Sequence, residues 1–369
     1  MTSAPVFGHP QSHRALLRRV KPVPSLVDAV VVPATRPVEH LIPAAELARS
    51  LGAMLVVFCS RGLTAVAVAD RLPKLPDLRW VAIDVPTGYR LPDLDLATSR
   101  ATEAMAGRLG DLSTKRNLGL LLAKSAGWHR LLFLDDDIPE VDELAVWRGA
   151  AALGQEALVG MHVDRFPDHS VVCHANLRSG GLQETFVSGS ALLVDCRRPP
   201  GFFPEIYNED WLFMYPALIE RRVAASGHAV QLDYDPFGDV GRAVDEEFGE
   251  VIAEGLNSLL TRRRTVHDAF DADYWQLFLS VRARFVRTIV NRVETISAPE
   301  LARAVLPSLV AADERRAELS PEGCAAYVRS WNRDLTRWTD SWLDRPVRVG
   351  LDRSVKALEL VDHAISTEF

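Results

Sequence analysis

Short apolar runs rich in β-branched residues recur through the first half of the chain, separated by stretches of helical spacing. Residues 27–32, Val-Asp-Ala-Val-Val-Val, closed by Pro33, read as a buried parallel strand. Residues 43–51 place Ala44, Leu47 and Leu51 on one helical face, and residues 54–58 and 80–83 read as a second and third strand. Residues 113–126 predict a helix capped by Ser113, with Leu118, Leu121 and Leu122 on one side. Residues 131–134 form a fourth strand. Such alternation predicts an α/β fold, a mostly parallel sheet with flanking helices on both faces. Further strands are expected at 157–161, 170–173 and 190–194. From about Asp271 the pattern turns helical: Trp275, Phe278, Leu279, Phe285, Ile289, Val290 and Val293 keep one stripe. A capping box at Ser297-x-x-Glu300 and a start at Ser320-Pro321-Glu322 open two more helices. The organisation expected is an N-terminal arm over 1–25, an α/β domain over 26–270 and a helical C-terminal region over 271–369.

Composition narrows the classes. Hydrophobic residues make up 48% of the 369, enough for a sizeable core. A formal net charge of −7 argues against nucleic acid as the main partner, because phosphate-backbone binders carry a basic excess. The four cysteines, Cys59, Cys173, Cys196 and Cys324, show no zinc or disulfide spacing, and no long apolar run suggests a transmembrane segment or leader. A cytoplasmic protein is the expectation.

The densest chemistry follows the fourth strand, at Asp135-Asp136-Asp137. The carboxyl edge of an open parallel sheet is where ligands bind. In extended chain Asp135 and Asp137 point one way and Asp136 the other. Like charges this close repel, and a divalent cation removes the repulsion; hard oxygen ligands suit Mg2+ or Mn2+. Lys115 and Arg116 stand in the first turn of the preceding helix, where cations oppose the helix dipole unless an anion binds there. The plainer alternatives are a solvated acidic turn or a helix cap, and exposed first-turn cations. A second acid pair, Glu209-Asp210, lies among Phe202, Phe203, Tyr207, Trp211 and Phe213. Burial among aromatics raises a carboxylate toward general-base usefulness, whereas capping of the helix from Trp211 is the structural alternative.

Val31-Val32-Pro33-Ala34-Thr35-Arg36, Lys115-Arg116-Asn117-Leu118-Gly119, Phe133-Leu134-Asp135-Asp136-Asp137, Val187-Ser188-Gly189-Ser190-Ala191 and Asn208-Glu209-Asp210-Trp211 occur in this order. Over residues 26–245 this set resembles the GT-A-fold glycosyltransferases, especially the family 2 group. The resemblance implies a GT-A-type sheet and a donor such as a UDP- or GDP-sugar, with an acceptor it does not identify. It implies that Pro33, Ala34, Thr35 and Arg36 line the nucleotide site, with Lys115 and Arg116 near the diphosphate. Asp135, Asp136 and Asp137 would lie at donor and metal, Asp135 and Asp137 matching an Asp-x-Asp motif. Gly189, Ser190 and Trp211 would border the sugars. Asp210, with Glu209 beside it, would be the general base of an inverting transfer. Where the family carries an acidic residue after the second strand, this chain has Cys59-Ser60-Arg61. For a third metal ligand the candidates are Asp239, His228 and His267.

Other classes share parts of this pattern. A sugar nucleotidyltransferase has the same sheet but opens with a Gly-rich loop, absent from Pro33-Ala34-Thr35-Arg36. A phosphatase of the haloacid-dehalogenase type wants Thr or Val where Pro139 stands, and a nucleotide-sugar binder without turnover needs only the binding half. Seven arginines between Arg262 and Arg292 read as a solvated helix face or as a surface for an anionic acceptor or a membrane. Trp331, Trp338 and Trp342 read as core or as a homodimer contact.

Overall fold

The structure, a computed structural model, describes residues 17–19, 25–72, 74–100, 110–164, 169–182, 187–296 and 298–367. Its α/β part is one sheet. The strands are β1 (Leu17–Arg19), β2 (Ala29–Ala34), β3 (Met54–Cys59), β4 (Arg79–Asp84), β5 (Arg130–Leu134), β6 (Glu140–Val141), β7 (Leu158–Asp164), β8 (Ala191–Asp195), β9 (Val223–Val230) and β10 (Ala364–Ser366). Their order is β1-β9-β7-β8-β5-β2-β3-β4-β10, with β6 beside β9. Pairings β5–β2–β3–β4 and β7–β9–β1 are parallel, and β8 runs antiparallel between β5 and β7. The chain leaves β2 toward β3 on one side and returns to β5 on the other. Their carboxyl ends therefore flank a topological switch point, where such sheets open a crevice.

Helices α1 (Ile42–Leu51), α2 (Ala65–Arg71), α3 (Leu112–Ala126) and α4 (Glu143–Ala152) fill the crossovers, as the apolar spacing predicted for α1 and α3. Ser113 does not cap α3; its hydroxyl donates to the Pro204 carbonyl at 2.8 Å, and Asp111 occupies the cap position. Gly119 lets α3 lie close on the sheet: a Cβ there would stand 2.9 Å from Val31 Cγ1. Residues 170–173 are not a strand. They open α5 (Val171–Arg178), because the Ser170 hydroxyl accepts from the Cys173 N–H and stops the chain extending. Next come α6 (Glu209–Ile219) and α7 (Val240–Thr261), the latter absent from the sequence reading.

The C-terminal helices α8 (Ala272–Ile296), α9 (Pro299–Glu318), α10 (Pro321–Asp344) and α11 (Leu351–Ala357) follow. Ser320 caps α10 as expected, accepting from Gly323 at 3.1 Å; Ser297, needed for the capping box of α9, lies outside the described residues. One apolar core runs from Val31 and Phe133 in the sheet through α3, α6 and α7 to Trp331, Trp338 and Trp342. These tryptophans are at most 1% exposed, so they are core side chains and offer no surface to a second copy. Trp338 also donates its ring N–H to the Pro200 carbonyl at 3.0 Å. The chain then returns to the sheet, where β10 pairs antiparallel with β4. No helix among the described residues is long and apolar enough to cross a membrane.

Candidate active site

A cavity of about 530 Å³ opens at the carboxyl ends of β2 and β5. Strand β5 ends at Leu134, and Asp135–Ile138 form a turn closed by the Ile138 N–H on the Asp135 carbonyl at 3.2 Å. The turn removes the alternation expected of extended chain: Asp135 turns to Arg116, while Asp136 and Asp137 share Arg36. Asp135 receives Arg116 Nη2 on both oxygens at 2.9 Å. Asp136 turns to the end of β2, accepting the Thr35 N–H at 2.7 Å, the Arg36 N–H at 2.9 Å and the Arg36 guanidinium. Asp137 accepts Arg36 Nη2 at 3.1 Å and Gln231 Nε2 at 3.2 Å on one oxygen. Its other oxygen, Oδ1, is buried with no hydrogen-bond partner among the described residues.

Gln231 follows β9 and escaped the sequence reading. The Leu232 N–H donates to the Asp137 carbonyl at 2.9 Å, drawing the end of β9 against the acidic turn. Gln231 is buried, lines the cavity, and its Oε1 is likewise unpartnered among the described residues. Two orphaned oxygens on neighbouring side chains are costly unless a cation or donor arrives. Hard oxygens of this kind fit Mg2+ or Mn2+. Asp239 does not join them. It is exposed, caps α7 through the Gly241 N–H at 2.8 Å, and does not line the cavity; Asp235, four residues earlier, does. His228 lies on the exposed part of β9, paired with Asp164 at 2.7 Å, and His267 sits in the short 3-10 helix Val266–Phe270, also outside the cavity lining.

Lys115 and Arg116 both reach the site, already engaged. Lys115 donates to the Ala34 carbonyl at 2.9 Å and Ser60 Oγ at 2.7 Å, and pairs with Asp111 at 3.2 Å. Burial lowers its pKa, against the pull of Asp111. Thus it ties α3 to the end of β2. Arg116 bridges Asp135 and Glu209. Burial opposes its charge, but Asp135, Glu209 and Asp210 more than offset that and hold the guanidinium protonated. Arg61, exposed after β3, is a further guanidinium at the cavity mouth.

The segment before β8 closes the opposite side. The Asp135 N–H donates to the Ser190 carbonyl at 2.9 Å, and the Gly189 N–H to Asp210 Oδ2 at 2.6 Å. A Cβ at Gly189 would stand 2.7 Å from Arg116 Nη1 and 2.9 Å from Asp210 Cβ, so only glycine fits. Asn208, at φ 58°, begins α6 in the left-handed region, and its side chain does not cap the helix but donates to Glu250 at 3.2 Å. Asp210 lies in the first turn, its Oδ1 accepting the Trp211 N–H at 2.8 Å. Burial pushes Asp210 and Glu209 upward from the usual carboxylate range, Arg116 opposing in both cases. Asn117 fixes the approach to α6, exchanging hydrogen bonds with the Phe203 backbone at 2.7 and 2.8 Å.

No protein-family model matches the chain, and a search of curated proteins returns no significant match. Among solved structures, the chain is similar to glucosyl-3-phosphoglycerate synthase of M. tuberculosis, with 15% identity and a TM-score of 0.38, over 64% of this chain and 81% of that one. It is also similar to a mannosyltransferase from Pyrobaculum calidifontis in complex with GDP-Man and Mn2+, with 12% identity and a TM-score of 0.43, over 88% and 92%. At such scores neither likeness carries weight by itself.

Proposed function

We propose that the chain is a GT-A-type glycosyltransferase that moves a sugar from a nucleoside diphosphate to an acceptor hydroxyl with the help of a divalent metal, by inversion. The observation that carries this reading is the pair of buried, unpartnered oxygens on Asp137 and Gln231, set in one cavity with the pinned carboxylate of Asp210. Asp137 and Gln231 would hold Mn2+ or Mg2+, with Asp135 beside them. Once bound, the metal supplies positive charge to the leaving diphosphate.

The remaining roles belong to the chain. Pro33, Thr35 and Arg36 line the nucleotide side, with the Ala34 carbonyl held by Lys115 and the turn by Asp136. Asp210 is the base. An acceptor oxygen attacks the anomeric carbon, the bond from that carbon to the diphosphate oxygen breaks, and the hydroxyl proton passes to the Asp210 carboxylate. Two backbone N–H groups orient that carboxylate while leaving it lone pairs for the proton. Burial raises its proton affinity above the ordinary carboxylate value, the direction that strengthens a carboxylate as a base. Glu209 is engaged by Arg116 and serves as that cation's partner. Trp211 borders the reacting sugar, whereas Gly189 and Ser190, expected beside it, do not line the cavity and act through their backbone on Asp210 and Asp135.

The test is a panel of UDP- and GDP-sugars with Mn2+, read by release of nucleoside diphosphate and by thermal stabilisation. The expected result is metal-dependent release from one donor class. Stabilisation without release would make the protein a binder, and release of pyrophosphate from a sugar phosphate and nucleotide triphosphate reaction would make it a nucleotidyltransferase.

A further inference from the structure

Beyond Asp210 the cavity continues to a wall built by α5 and α7, including Cys173, Glu250 and Glu254. All three are buried, and a ligand atom from each lies within 4.8 Å of the others. Behind them stands Arg282 of α8, with no exposed surface. Its Nη1 donates to Glu250 at 3.1 Å and Glu254 at 3.0 Å, while Nε and Nη2 donate to Glu247 at 3.0 and 2.7 Å. Three carboxylates therefore share one guanidinium. A second cation of this wall, Arg242, is paired with Glu246 at 2.6 Å and donates to the Tyr234 hydroxyl at 3.1 Å.

From this imbalance we infer that the acceptor is an uncharged polyhydroxy molecule, a sugar or glycoside, whose hydroxyls meet Glu250 and Glu254. The inference rests on the glycosyltransferase reading and narrows it. A phosphate or carboxylate on the acceptor would enter a low-dielectric wall already holding an excess of negative charge. A hydroxyl, donor and acceptor at once, suits carboxyl groups in either protonation state. Burial, with Glu254 adding to it, pushes Glu250 well above the carboxylate range, so the neighbours can present one donor and one acceptor. Tyr207 and Trp211 line the same space and offer apolar ring faces to the C–H face of a sugar.

The experiment compares matched acceptors on the full chain with its best donor and Mn2+: glucose with glucose 6-phosphate, mannose with mannose 6-phosphate, and glycerol with 3-phosphoglycerate. The neutral member is expected to give the higher kcat/KM by at least about tenfold, equivalent to ~1.4 kcal/mol. In Glu250→Gln, or Glu254→Gln should the first not fold, the KM for the neutral acceptor is expected to rise about tenfold with donor KM unchanged, on the scale of one lost polar contact. A phosphorylated member matching or surpassing its neutral partner overturns the inference. So does donor binding without any neutral member accelerating release. Failure of the underlying reading looks different: calorimetry would then find no Mn2+-dependent donor affinity at all.

Discussion

The two ends of the cavity arrange their charges on opposite plans. At the donor end the carboxylates draw on several cations: Asp136 and Asp137 share Arg36 of the β2 turn, Asp135 and Glu209 share Arg116, and Asp111 pairs with Lys115 of its own helix. Among the described residues, one oxygen each of Asp137 and Gln231 and the Nε of Arg116 remain without a hydrogen-bond partner there. At the acceptor end, Glu247, Glu250 and Glu254 rise from one face of α7 and converge on the single guanidinium of Arg282. The first end sets five carboxylates against three cations and leaves room for one hard cation beside them. The second is fully buried and over-supplied with acid. Under the proposed function, cations spread over separate elements suit a place for metal and diphosphate, whereas convergence on one buried cation makes a wall that disfavours anions.

The sharpest way to break this contrast is Arg282→Met. Removing the guanidinium that three buried carboxylates share is expected to cost ~3–5 kcal/mol, measured by urea unfolding. A loss under 1 kcal/mol would mean the carboxylates are already neutral and the wall is not charged. Asp137→Ala tests the other end: Mn2+-dependent donor affinity is expected to fall by about 100-fold or more, beyond the 10–100-fold scale of outer-shell changes, and unchanged affinity by calorimetry would remove Asp137 from the metal site. Asp210→Asn is expected to spare donor binding while lowering the transfer rate about 10²-fold or more. In the native enzyme that rate should fall as pH drops through the raised pKa of Asp210, with the acid limb above the ordinary carboxylate value of about 4.

Next in size is a pH effect on stability at the acceptor end. Burial, with His169 and Arg242 adding to it, lowers His174 to about 3. The unfolded chain takes up this proton near pH 6.5 and the folded chain does not, so stability is complete above that pH. It should be lost at up to ~1.4 kcal/mol per unit as pH falls toward 3. His174→Gln should flatten that part of the profile in unfolding curves taken from pH 7 to 4. The smallest effect belongs to Arg36→Met. Its side chain is 41% exposed, and stability should change by less than about 1 kcal/mol despite two ion pairs. A loss matching that of Arg282→Met would erase the difference between the two ends.

Much of the donor end was legible in the chain. The apolar runs at β2, β3, β4 and β5, the acidic triplet and the Glu209-Asp210 pair are local patterns, and the structure brings them to one cavity. Other parts were not. Val171-Val172 looked like a strand because two β-branched residues carry no period, and the Ser170 cap outweighed them. Helix α7 was missed because Glu246, Glu247, Glu250 and Glu254 fall where an amphipathic pattern expects apolar residues; all four are buried in ion pairs. Gln231 was invisible for a different reason: a glutamine after a strand has no signal until the Asp137 backbone draws it in.

Local order along the chain was enough for the parallel sheet, the position of its ligand-binding edge and the acids that line it, since strands and turns form from neighbours a few residues apart. Which oxygens stay unpartnered, and which carboxylates share a cation, depends on side chains meeting across intervals of 19 to 101 residues, such as Asp135 with Arg116 or Asp137 with Arg36. Such meetings follow from packing, because burial turns an ordinary charge into one that must be matched.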